Sequence, residues 1–236
     1  MMNYQRYFRP EQQLLLRVTN DINQDNRTEL MSVTVITCEE STLSVSSHYG
    51  EEAVDHYPFR EGLPLEITTE ALGMGIRTTG CYSGQISGNS FTITLDSDMQ
   101  MFQRRISRRL NCRLGIRFSR AAKTLQTMRN IWERNLEVLH SPEAPLIYEG
   151  FKTSALNISS GGLRLSIKPP ANQGELCLVL INLEDGKPPV CAISEVVWVC
   201  IQDDATVTAG MRFISILSDD QKRIEAFIDH HKTSEK

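Results

Sequence analysis

The sequence predicts a mainly β protein of two small β-barrel domains, the second of which carries an inserted helix and a C-terminal helix. Short stretches in which polar and apolar residues alternate recur along the chain, separated by Gly, Asn and Asp residues. Helical periodicity is confined to two segments, 120–139 and 219–230. With 236 residues, 40% hydrophobic and 23% charged, the chain is long enough to bury two ordinary cores.

Residues 1–98 are expected to form the first β domain. Strands are predicted at 31–38, 42–46, 63–69, 76–83 and 90–95. The last two of these are predicted to pair as a hairpin through Gly84, Gly88 and Asn89. The stretch 12–18 fits either a short helix or an edge strand. Several short strands with turn signals between them are typical of a small barrel or sandwich.

The domain boundary is placed at residues 96–98, where Asp-Ser-Asp interrupts the alternation. Residues 99–109 are assigned to an arginine-rich linker or switch segment. Residues 110–236 are assigned to a second barrel domain with a helical insertion at about 120–140. Its strands are predicted at 110–118, 146–148, 152–158, 163–167, 176–182, 190–201 and 206–216.

The segment 120–139 is predicted as an amphipathic helix because it contains no Gly or Pro. Its apolar residues form one helical stripe, composed of Ala121, Leu125, Met128, Trp132 and Leu139. Leu125, Trp132 and Leu139 follow one another at a spacing that also suits a coiled-coil seam. Packing on its own domain is the first interpretation, and a homodimer contact is the alternative.

Nine basic residues and no Asp or Glu lie between Asp98 and Glu133. They are Arg104, Arg105, Arg108, Arg109, Arg113, Arg117, Arg120, Lys123 and Arg129. Because the whole chain has a formal net charge of −4, this positive field is local. A local cationic cluster on an acidic protein suggests a defined anionic ligand, and an ordinary solvated surface is the alternative.

Nothing in the sequence suggests a catalytic or metal site. The six Cys residues form no Cys-x-x-Cys pair and lie at no ligand spacing from His. No nucleophile–base pair stands out, so we expect neither an enzyme nor a metal cofactor. The longest strongly apolar stretch, 176–183, is too short to cross a bilayer, and the N-terminus lacks the apolar core of a signal peptide. A cytoplasmic protein without membrane insertion is therefore expected.

Three motifs follow one another in the chain: Arg105-x-x-x-Arg109, Asn157-x-Ser159-x-x-Gly162 and Gly210-x-x-Phe213. In this order, and ahead of a closing helix, they resemble the PilZ domain. PilZ domains are bacterial receptors for cyclic di-GMP, marked by R-x-x-x-R and [D/N]-x-S-x-x-G. The resemblance covers roughly residues 103–232. The N-terminal region is similar, in length and order alone, to the companion domain of YcgR-type flagellar brake proteins.

The resemblance implies a protein that binds cyclic di-GMP and needs no other cofactor. The binding residues that it implies are Arg104, Arg105, Arg109, Asn157, Ser159, Gly161 and Gly162. A guanidinium can meet O6 and N7 of guanine with two parallel hydrogen bonds and can stack on a purine, whereas Lys offers neither plane nor fork. In this resemblance, Arg104 implies binding of an intercalated pair of ligand molecules.

The brake proteins also suggest an output. Ligand binding is expected to order the arginine segment, to change the arrangement of the two domains and to regulate flagellar motility or a biofilm-related process. The expected partners are stator or rotor proteins at the flagellar basal body. One alternative is a nucleic-acid-binding protein, but only Phe118 is aromatic between Arg104 and Arg120, so no DNA partner is expected. A ligand-free scaffold is the other alternative.

Overall fold

The computed structural model describes residues 3–19, 26–49, 59–103, 107–120, 124–141, 149–201 and 206–234. The chain divides into two compact units, which are described separately below. The predicted strand at 146–148 lies outside the described residues. Within these described ranges, no helix combines the length and the apolar character needed to cross a membrane.

The first unit is a closed β-barrel. After a short 3-10 helix at Tyr4–Arg6, the first eight strands are β1 (Gln13–Val18), β2 (Arg27–Glu29), β3 (Met31–Glu39), β4 (Thr42–Ser47), β5 (Pro64–Ala71), β6 (Met74–Ser87), β7 (Ser90–Leu95) and β8 (Gln100–Phe102). Six of them close in the order β5-β1-β3-β4-β7-β6, with β5 paired to β6. Alternate side chains fill the interior, as Leu14 and Leu16 do on β1. The predicted barrel and the pairing of β6 with β7 are confirmed, but Gly84 lies within β6, and Gly88 and Asn89 form the turn.

Two short strands of this region have partners that the sequence did not indicate. Residues 100–102, assigned to the linker, form β8 and pair with β6. Three residues are too few for their alternation to be recognised in a sequence. In addition, residues 26–28 lie within the predicted first domain but cluster with the second unit, where β2 pairs with a strand near the C-terminus.

The second unit is also a closed barrel. It contains β9 (Leu110–Arg120), α1 (Leu125–His140), β10 (Lys152–Ser159), β11 (Gly162–Ile167), β12 (Leu176–Asn182), β13 (Val190–Ile201), β14 (Val207–Leu217) and α2 (Ser218–Ser234). The strand order is β11-β10-β9-β12-β13-β14, closed by pairing of β11 with β14 and extended by β2 beside β14. One hydrophobic core fills it, to which Ile224 and Ile228 of α2 contribute. The predicted second barrel with an inserted and a C-terminal helix is confirmed.

From Thr127 onward, helix α1 belongs to the second unit and packs on it. Met128, Trp132 and Leu136 are buried along one face, at the spacing of a helical stripe. Trp132 has no exposed surface, and its Nε1 donates a hydrogen bond to the carbonyl oxygen of Cys191 on β13 at 2.9 Å. The central residue of the possible coiled-coil seam is therefore used within the chain, which favours the interpretation as an amphipathic helix.

Helix α2 is fixed at its first turns by a charged network. Arg223 donates hydrogen bonds to Asp185 in the β12–β13 loop and to Asp220 on the same helix, at 2.9 and 2.7 Å. Burial raises the pKa of the Asp220 carboxyl above its ordinary value, although Arg223 acts in the opposite direction. These contacts hold the N-terminal end of α2, including Gln221, in a defined position on the barrel.

Candidate functional site

The motif Asn157-x-Ser159-x-x-Gly162 forms the turn of the β10–β11 hairpin. Ser159 pairs with Gly162, so Ser160 and Gly161 make a two-residue turn between the strands. The Ser159 hydroxyl is buried and donates to the carbonyl oxygen of Gly162 at 3.2 Å. The Ser159 hydroxyl therefore closes the turn in this structure. Its oxygen also has lone pairs that can accept a further hydrogen bond.

Asn157 lies on the outer face of the barrel. Its neighbours Leu156 and Ile158 are buried in the core, so the alternation of the strand turns Asn157 outward. Its Nδ2 donates to Oδ1 of Asn111 on β9 at 2.8 Å. This bond orients the amide and leaves its carbonyl oxygen able to accept from a donor such as the amino group of guanine.

The two glycines of the turn have different surroundings. A Cβ on Gly162 would lie 2.1 Å from the carbonyl oxygen of Met211 on β14. A Cβ on Gly161 would meet no atom within 4 Å. Gly162 thus permits close approach of β11 and β14 where the barrel closes, whereas open space is found at Gly161.

The described end of the arginine segment lies beside this turn. Leu110 pairs with Ile158, so continuing the register by one residue places Arg109 level with Ser159. Arg109 is exposed. The Ser160 hydroxyl also donates to the hydroxyl of Ser107 at 3.3 Å. The contact between Ser160 and Ser107 thus links the described end of the arginine segment to the turn of the second motif.

Of the other three arginines in residues 104–109, the structure describes one. Arg104 and Arg105 lie outside the described residues. Arg108 is described, and its Nη1 lies 2.8 Å from Oδ1 of Asp229 on α2. Both of these side chains are largely exposed, so the ion pair contributes little to stability. It does direct the Arg108 guanidinium toward α2.

Two residues in the same row of paired strands as Asn157, Arg164 and Trp198, were not singled out from the sequence. Strand pairing places Asn157 level with Arg164 on β11, Arg164 level with Gly210 on β14, and Gly210 level with Trp198 on β13. The Trp198 indole covers Gly210, since a Cβ on that glycine would lie 2.1 Å from Nε1. Arg164 could have been found from the sequence, because a two-residue turn at 160–161 fixes its partner. Trp198 could not, because its place depends on two further strand pairings.

Two thiols of the second barrel, Cys112 and Cys177, have strongly raised pKa values. Burial raises the pKa of Cys112 to about 11 and that of Cys177 to about 12, so both thiols remain protonated near neutral pH. No group of three or more His, Cys, Asp or Glu residues that could hold a metal ion occurs in the described ranges. The distinctive chemistry of the face is thus that of amide, hydroxyl, guanidinium and indole groups.

The family model of the PilZ domain matches residues 102–230, which is more than half of the chain. The chain belongs to the PilZ domain family. The match includes the second barrel and both motifs, as the sequence predicted. No curated protein sequence matches this PilZ domain protein.

Among solved structures, the PilZ domain protein is similar to the Bacillus subtilis inhibitor of motility MotI/DgrA. The identity is 12% and the TM-score 0.40, over 97% of this chain and 100% of that one. It is also similar to Escherichia coli YcgR in complex with c-di-GMP, at 11% identity and a TM-score of 0.37, over 94% and 84%. A third is the K. pneumonia MrkH–c-di-GMP complex, at 13% identity and a TM-score of 0.33, over 96% and 90%.

Proposed function

We propose that this PilZ domain protein is a cyclic di-GMP-binding effector without catalytic activity of its own. The observation that supports the proposal is the register of β9 and β10, in which Leu110 pairs with Ile158; extended by one residue, this register makes Arg109 level with Ser159. Two motifs separated in sequence thereby supply a cation and a polar turn to one place on the barrel. Family membership supports the same ligand, because both motifs lie within the matched residues.

The proposed contacts follow from the chemistry of the ligand. Arg109, together with Arg104 and Arg105 by their place in the motif, binds guanine edges and phosphates. Asn157 and Ser159 accept or donate hydrogen bonds at the turn, and Gly161 leaves space above it. The side chains of Arg164 and Trp198, on the same outer face, provide planar groups on which a purine can stack.

The proposed output is regulatory. Ligand binding orders the arginine segment and changes the arrangement of the two domains, which requires that the ligand favour one arrangement over the other. The consequence is control of motility or of a biofilm-related process in the cytoplasm, through motor proteins as partners or through a homodimer. Small-angle scattering with and without cyclic di-GMP tests the rearrangement, and an unchanged profile at saturating ligand contradicts it.

The binding proposal predicts a specific loss in the Arg109→Ala variant. Hydrogen bonds to charged groups contribute roughly 1.5–3 kcal/mol, and about 1.4 kcal/mol corresponds to a tenfold change. Calorimetric titration should therefore show affinity for cyclic di-GMP roughly 10- to 100-fold weaker than in the wild type. If Arg104 binds an intercalated pair, the wild-type titration gives two ligand molecules per protomer.

Arg108→Ala is the matched control for that titration. It removes the same charge from the adjacent position, where the side chain is paired with Asp229. Its affinity should stay within about threefold of the wild type, because a surface charge acts only through a screened field. Absence of heat from the wild type at micromolar ligand contradicts the proposed function. Equal losses in the two variants would reduce the role of Arg109 to nonspecific charge.

A further inference from the structure

A short segment of the N-terminal half, residues 26–29, is held by the second barrel. β11 covers β14 only from Val207 to Arg212, while β14 continues to Leu217. β2 lies beside β14, and the carbonyl oxygen of Asn26 accepts a hydrogen bond from the backbone N–H of Ser218 at 2.7 Å. The segment therefore adds a strand to the barrel next to the start of α2.

Helix α1 also contacts the same segment. The Arg27 guanidinium lies 5.2 Å from the centre of the Trp132 ring and donates to Oε1 of Glu133 at 2.9 Å. A guanidinium that lies over a buried indole and donates to a carboxylate is held in a well-defined position. Since Glu29 is followed directly by Leu30 and β3, this position anchors the chain where it enters the first barrel.

Gln221 links this segment to the motif turn. Its Oε1 accepts a hydrogen bond from the Thr28 hydroxyl at 2.8 Å. Its Nε2 donates to the carbonyl oxygen of Ser160, within the turn of β10 and β11, at 3.1 Å. The Ser160 hydroxyl in turn donates to Ser107 in the arginine segment. One side-chain amide thus touches both the anchored segment and the candidate ligand site.

We propose that Gln221 is a positioning residue that couples the Asn157–Gly162 turn to the segment 26–29. The coupling to ligand rests on the proposed function, since the turn is the site proposed for cyclic di-GMP. The two ends of the amide cannot move independently, so a shift of the Ser160 carbonyl strains or breaks the bond to Thr28. Ligand contacts at the turn thereby change how firmly residues 26–29 are held, and with them the entry to the first barrel.

The proposal predicts coupling that is measurable without ligand. Hydrogen exchange with mass spectrometry follows peptides over 157–163 and 26–30 in the full chain. Thr28→Val keeps the β-branched shape and removes the hydroxyl donor; we expect it to raise exchange at 157–163 by about 3- to 10-fold, in the range of coupling through packed networks. In a Gln221→Leu background the same substitution should add nothing. Unchanged exchange at 157–163 in Thr28→Val overturns the proposal.

A second set of variants separates coupling from general loss of stability. Gln221→Glu keeps an acceptor for Thr28 but cannot donate to Ser160, so it should uncouple the two peptides as Gln221→Leu does. Glu225→Leu, at an exposed position one turn further along α2, is the control and should leave exchange in both peptides unchanged. Equal effects of Glu225→Leu and Gln221→Leu contradict the proposal, because they indicate a general response of the helix.

Hydrogen exchange measured with added cyclic di-GMP tests the coupling separately from ligand binding. A coupling free energy of the usual magnitude predicts that saturating cyclic di-GMP changes hydrogen exchange at 26–30 by about threefold or more in the wild type. In Gln221→Leu, the ligand should leave exchange at 26–30 unchanged. A wild type that shows no binding heat contradicts the proposed function, and the ligand-free exchange still decides the coupling. A wild type that binds ligand, with a response at 26–30 that survives in Gln221→Leu, overturns the coupling alone.

Discussion

Gly162→Ala is expected to destabilise the second barrel by at least about 2 kcal/mol, at the upper end of the roughly 1–3 kcal/mol usual for overpacking. The added Cβ would lie 2.1 Å from the carbonyl oxygen of Met211 and 3.1 Å from Cα of Arg212. Both are backbone atoms of β14, which no rotamer change can move. The pairing of β11 with β14, which closes the barrel, must therefore loosen. Chemical denaturation followed by far-ultraviolet circular dichroism measures the loss.

Gly161→Ala provides the matched control one residue earlier. Its Cβ meets no atom within 4 Å, and the residue is exposed, so the free energy of unfolding should change by less than about 0.5 kcal/mol. Because the added methyl group enters the space proposed for ligand, this variant should bind cyclic di-GMP less tightly while remaining fully folded. Equal stabilities of the two variants would contradict the close approach of β11 and β14.

Trp132→Ala is expected to lower the free energy of unfolding of the second barrel by about 3–5 kcal/mol. The indole is fully buried and donates to the carbonyl oxygen of Cys191, so its removal leaves a cavity and deprives that oxygen of a donor. The variant also takes away the ring beneath the Arg27 guanidinium. Denaturant titration followed by circular dichroism is suitable, because the chain has only two Trp residues and fluorescence would change for trivial reasons.

Val138→Ala controls for changes in α1 itself. Val138 lies on the same helix and is 63% exposed, so its truncation should change stability by less than about 0.5 kcal/mol. A loss below about 1 kcal/mol in Trp132→Ala would contradict the packing of α1 on the barrel. A large loss there with none in Val138→Ala supports an inserted helix whose buried face belongs to its own chain.

Much of the fold follows from local patterns. Alternation located most strands, and the absence of Gly and Pro located α1, because both periodicities depend only on residues close together in sequence. Within the site, the two motifs and their order could be recognised from the sequence for the same reason. The pairing of Arg164 with Asn157 could also be predicted from the sequence, since a two-residue turn connects their strands. The three-residue strands β2 and β8 were too short to carry a recognisable period.

The sequence by itself determined the two-barrel class, the family and the residue types of the motifs. Only the tertiary structure decided how distant residues are arranged: Trp198 over Gly210, Leu110 paired with Ile158, and Gln221 between Thr28 and Ser160. The physical reason is that strand register and helix docking are set by burial of the whole core and by closure of the barrel. These are collective properties that no local stretch of sequence contains.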